Sequence, residues 1–172
     1  MIWEVFRQAA PGESHEHCGN IHAPDREMAR QFSVIQHGRR KPTHSLWVAP
    51  QERVRGVYGG EDAGSVDGET DWAVFRQDRA GGYHAHCGQV TADSVDAAKA
   101  AAGDAYGDDD PNSLWLVQSR YIGEITDEEV AFGGTTNKAY RFAQTYNVDA
   151  AAEEVKASEN EQIDAERRRG DS

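Results

Sequence analysis

From Ile2 the chain runs Ile-Trp-Glu-Val-Phe-Arg-Gln, a short stretch rich in Trp, Val and Phe that predicts a strand. Residues 9–14, with Pro11-Gly12 among them, turn the chain. Residues 15–22 then alternate, so a strand there places His15 and His17 on one face and Glu16 and Cys18 on the other. A helix follows. Pro24 suits its first position, Asp25 and Glu27 its positive N-terminus, and Gly38 its C-terminal cap. Met28, Phe32 and Ile35 fall at helical spacing and are expected to pack on the sheet. Residues 45–48 form a third strand, which completes a β-β-α-β unit.

The pattern then starts again. WEVFRQAAPGESHEHCGNIHA, read from Trp3, returns 69 residues later as WAVFRQDRAGGYHAHCGQVTA, so that Phe6, His15, His17, Cys18 and Gly19 become Phe75, His84, His86, Cys87 and Gly88. Ser45-Leu46-Trp47-Val48 comes back as Ser113-Leu114-Trp115-Leu116, one residue closer. Two copies are too few for a solenoid. A tandem pair predicts instead a fused homodimer about a pseudo-twofold axis. A unit of about 55 residues is marginal alone, so the copies should share one core or one continuous sheet. The expected fold is α+β: two β-β-α-β repeats forming a pseudo-twofold fused dimer, with helices on antiparallel sheet. The divisions are a first repeat over 1–55, a Gly-rich acidic linker over 56–70, a second repeat over 71–148, and an acidic C-terminal helix or disordered tail over 149–172. The second helix carries Ala97, Ala98, Ala101 and Ala102, which lets it sit closer to what it faces.

Charge narrows the function. A net charge of -12 excludes the Lys/Arg surface that nucleic acid demands. No run approaches the roughly 18 apolar residues of a membrane span and no basic-then-apolar leader opens the chain, so a soluble cytoplasmic protein is expected. Only four of the 18 basic residues are Lys, against 30 acidic residues, the balance of a protein kept soluble in a high-salt cytoplasm.

The candidate chemistry is His15-x-His17-Cys18 and its repeat His84-x-His86-Cys87. Two His at i, i+2 on a strand point the same way and can share a metal, with His22 or His44 as a third ligand. Cys18 points away from that face, and the second copy lacks the third His, having Thr91 for His22. Interfacial histidines beside a cysteine acting as a small hydrophobe are therefore the first reading. A small metal-binding or metal-dependent enzyme using His15, His17 and His22 is the alternative. A Cys18–Cys87 disulfide across the axis is conceivable, but a cytoplasmic compartment disfavours it. The Asp108-Asp109-Asp110 run reads as a solvated acidic turn. The chain has no G-x-S-x-G, P-loop, G-x-G-x-x-G or Glu-x-x-His motif, so no catalytic site assembles from sequence.

SHEHCGNIHAPDREMA followed by SLWV resembles the phenylacetic acid degradation protein PaaB family, small subunits of multicomponent phenylacetyl-CoA epoxidases. Trp3, Glu4, Val5, Phe6, His15, His17, Gly19, His22, Ala23, Asp25, Ala29, Ser45, Trp47 and Val48 carry the likeness. A K-x-Y-R-x-x-x-x-Y tail, here Lys138, Tyr140, Arg141 and Tyr146, follows the second copy alone. The family has one copy where this chain has two, and Val where this chain has Cys18 and Cys87. The resemblance implies a non-catalytic structural subunit without cofactor, bridging di-iron oxygenase subunits whose active site lies on the partner; a homo-oligomer is possible. Because each feature survives once, one composite partner surface is expected, built from His15, His17, His22, Tyr140, Arg141 and Tyr146.

Overall fold

A computed structural model of the chain describes residues 1–56 and 68–131. Most of the expected linker, the Tyr140, Arg141 and Tyr146 tail and the segment from 149 onward lie outside the described residues.

The first copy places β1 (Ile2–Gln8) between two antiparallel neighbours, β2 (Glu16–His22) and β3 (Ser45–Pro50), with α1 (Arg26–His37) linking the latter two. The second copy repeats this with β5 (Thr70–Gln77) between β6 (Ala85–Ala92) and β7 (Ser113–Gln118), linked by α2 (Val95–Tyr106). Register repeats as well: Phe6 stands opposite His17 and Trp47, and Phe75 opposite His86 and Trp115. The antiparallel β-β-α-β pair expected from the repeat is what forms.

Three local expectations change. Strict alternation fails in β2, where the register shifts between Val5 and Phe6 and leaves Cys18 as an extra residue. Gly19 sits at φ 133, a conformation glycine adopts at little cost, beside that bulge. His17 and Ile21 would share a face on a regular strand. The bulge separates them, so Ile21 joins the core under α1 while His17 faces the other way, toward Phe6. Pro24 stands one residue before the helix cap. The cap is Asp25, whose carboxylate accepts from the Met28 N–H at 2.9 Å. Met28 and Phe32 pack on the sheet as expected, whereas Ile35 is 46% exposed.

The strand order is β4-β7-β5-β6-β2-β1-β3-β8, with β4 (Arg55–Gly56) and β8 (Gly123–Ile125) as the outermost strands. These two exchange places. β4 follows β3 in the chain yet pairs with β7 of the second copy, and β8 follows β7 yet pairs with β3 of the first. The five steps from Pro50 to Arg55 reach at most about 18 Å. In a flat sheet β3 and β4, six strand spacings apart, would be separated by about 29 Å. The sheet therefore curls until its two ends approach.

Curling buries most of β1, β3, β5 and β7 on both faces and creates three apolar clusters. Outside, α1 covers Trp3, Val5, Ile21, Leu46, Val48 and the crossed Ile125, and α2, with its own Val95 buried, covers Trp72, Val74, Leu114 and Leu116. Inside the curl lie Phe6, Ala49, Ala73, Phe75 and Val117. Polar contacts tie the crossed segment to α1. Arg26 donates to the Arg120 carbonyl at 3.1 Å, Arg30 to the Glu124 carbonyl at 3.2 Å, and Arg30 also pairs with Glu129. Among the described residues no helix is long and apolar enough to cross a membrane.

Candidate functional site

The copies join where β2 meets β6, along the two His-x-His strands. Backbone pairing there is minimal: the His17 N–H donates to the His84 carbonyl and the His86 N–H to the His15 carbonyl, each at 2.8 Å. Rings supply the rest of the seam. Phe6 and Phe75 stack across the axis with centroids 4.1 Å apart. His15 lies flat on Trp47 at 3.8 Å, and His84 on Trp115 at 3.5 Å. Each Trp also meets a histidine of the other copy edge-on, His86 at 4.9 Å and His17 at 5.2 Å. Each half of the cluster is thus built from both copies.

Burial sets the protonation of these rings. Desolvation, with His86 and His44 nearby, lowers the His15 pKa to about 4; desolvation, with His17 nearby, lowers that of His84 to about 4. Desolvation also lowers His86, against an opposing hydrogen bond with the Gly88 backbone. His15, His84 and His86 are accordingly neutral near pH 7.

The two halves differ in their polar partners. Glu4, 5% exposed, pairs with His17 Nε2 at 2.6 Å and accepts from Gln51 at 2.7 Å. Burial alone would raise its pKa, but those hydrogen bonds outweigh burial and the carboxyl is lowered. The second copy has Ala73 in place of Glu4, and His86 Nε2 is buried without a hydrogen-bond partner. His15 Nε2 meets Ser45 Oγ at 2.9 Å, which in turn donates to Gln8. At the matching place Asn112 occupies the Gln77 acceptor, and His84 Nε2 is left unpaired.

The residues singled out from sequence scatter accordingly. His15, 6% exposed, and His17, half-buried, both belong to the seam, whereas His22 is exposed as the last residue of β2. Tyr140, Arg141 and Tyr146 lie outside the described residues. Among the described residues no group of three His, Cys, Asp or Glu could hold a metal ion. Cys18 is a partly buried hydrophobe: it packs against the core under α1, its thiol donates to the Val5 carbonyl, and burial raises its pKa to about 11. Cys87 is exposed, and both cysteines are free of disulfides. Sequence reasoning missed Glu4 and the four stacking aromatics as parts of the site. The change from WEVF to WAVF was the available signal for Glu4, and recurrence of both Phe and Trp for the rings.

The fold and seam define a fused pair of small β-β-α-β units held together by neutral histidines on tryptophans. The chain belongs to the family described as Phenylacetic acid degradation B, which matches residues 1–67 and then 69–153, one match for each copy. It is similar to a subunit of the 1,2-phenylacetyl-CoA epoxidase of Escherichia coli K12, 34% identical over 53 residues. That match takes in 31% of this chain and 56% of the relative, so it spans little more than half of the relative's length. No solved structure matches the chain.

Proposed function

We propose that this chain is an accessory subunit of a multicomponent aromatic acyl-CoA oxygenase in phenylacetate catabolism, carrying no catalytic site of its own and joining oxygenase subunits in a high-salt cytoplasm. Family membership and the likeness to an epoxidase subunit support the pathway. The observation that carries the accessory role is the use made of the histidines. A histidine acting as acid or base must reach a substrate proton. Here His15 and His84 are buried and stacked flat on Trp47 and Trp115, and their work is to hold two copies together. Oxygen chemistry would then reside on a di-iron partner.

The partner surface combines the exposed His22 and the accessible part of His17 with Tyr140, Arg141 and Tyr146. Enclosed in the seam, His15 contributes by fixing where β2 lies. Purification of the tagged chain from its native host, at native salt, is expected to bring down an oxygenase subunit in fixed ratio; its absence would remove the bridging role. Tyr140→Ala is expected to weaken that complex by about 2 kcal/mol, roughly thirtyfold, as loss of an aromatic anchor does. Equal recovery of the variant complex would exclude Tyr140 from the interface.

A further inference from the structure

The loop after α1 reads Arg39-Arg40-Lys41 before Pro42, whereas the loop after α2 reads Asp108-Asp109-Asp110 before Pro111. Three positive charges in one copy thus stand where the other has three negative ones, in a chain of net charge -12. Arg40 and Lys41 line a recess of about 220 Å³ together with Arg7, Glu16 and His37, and Tyr83 of the second copy contributes to its wall. Among the described residues no carboxylate forms an ion pair with Arg7, Arg40 or Lys41. His37 Nε2 is buried and has no hydrogen-bond partner.

The matching place in the second copy is disarmed. Arg76, the counterpart of Arg7, is neutralised by Asp78 at 2.6 Å. Tyr106, the counterpart of His37, presses on the strand so closely that a Cβ on Gly88 would lie 2.0 Å from its hydroxyl.

We propose that the recess of the first copy binds a phosphate monoester: a dianionic phosphoryl group carried by a small organic molecule. Arg7, Arg40 and Lys41 less Glu16 leave a formal charge of about +2, matching the -1.5 to -2 of a phosphate monoester near pH 7. A single carboxylate would leave half of that unanswered. The guanidinium forks of Arg7 and Arg40 suit phosphoryl oxygens, and the exposed ring of Tyr83 offers a face to a planar group on the ester.

Calorimetric titration of the full chain at constant ionic strength tests this, with adenosine monophosphate, inorganic phosphate and a triglutamate peptide as probes. The nucleotide is expected to bind once per chain. Arg40→Asp with Lys41→Asp, which copies the second repeat, is expected to weaken it by about tenfold or more, as is Arg7→Gln. Both loop side chains are exposed, so the double variant should keep its melting temperature. Tighter binding of the nucleotide than of inorganic phosphate supports the ester. The proposal is overturned by absence of saturable nucleotide binding, by unchanged affinity in the variants, by inorganic phosphate binding as tightly as the nucleotide, which would make the free ion the ligand, or by preference for triglutamate, which would make the recess a dock for an acidic protein segment.

Discussion

Acidification from neutral pH toward 4 is expected to unfold this protein well before its carboxylates titrate in bulk. His15 and His84 have folded pKa values of about 4 against an ordinary 6.5. Between those values the unfolded chain takes up protons that the folded seam refuses, so stability rises with pH. The contribution is complete above 6.5 and is lost progressively as pH falls to about 4. Each histidine accounts for on the order of 3 kcal/mol. Two together, about 6 kcal/mol, are comparable with the lower end of a typical total of about 5–15 kcal/mol. His86 and His37 are lowered as well and act in the same direction. Glu4, lowered below 4.5, adds its loss only at still lower pH. Urea unfolding at about pH 7 and about pH 5, at fixed salt, should show a midpoint that drops steeply, with a shallower drop in His84→Gln. Equal midpoints at the two pH values would mean that the seam histidines are charged or open to water.

The second large effect concerns the crossed strands. Ile125 belongs by sequence to the second copy and by packing to the core under α1, where it is 2% exposed. Ile125→Ala is expected to cost about 2–5 kcal/mol through the cavity it leaves. The loss should be felt on the far side of the repeat: amide exchange in α1 and β3 should speed more than in α2. A protein whose copies folded as neighbours would show the reverse. Proteolytic cleavage within 57–67 should likewise leave two fragments that remain together until denaturant is added, since β4 and β8 each complete the other copy's sheet.

Much of this was legible because it was written twice. Recurrence of Phe, His-x-His and Trp at matched positions forces matched strands, and alternation put His15 and His17 on a common face. The crossing was not legible: β4 and β8 are two and three residues long, too short for any periodicity, and only the sheet they join defines them. The bulge was hidden for a similar reason, since Cys18-Gly19 reads as ordinary strand until Val5 and Phe6 pair across it. Ile35 kept helical spacing but sits on the solvent flank of α1, where spacing alone cannot say how wide the buried stripe is. His15 illustrates the limit for the site. Its type and spacing suggested contact or coordination, and its stacking on Trp47, 32 positions along the chain, turned it into a structural part.

The crossing also dictates an order of events during synthesis. When β3 leaves the ribosome, the strand that will cover its outer edge, β8, has yet to be made, and some 75 residues separate Pro50 from Ile125. At about 5–20 residues per second the delay is roughly 4–15 s. Throughout it, Leu46, Trp47 and Val48 present an apolar strand with one row of backbone groups unpaired, the form in which nascent chains associate wrongly with one another. The first half of this protein therefore waits on the second, and its yield in a cell should depend on how quickly, and in what company, the rest of the chain arrives.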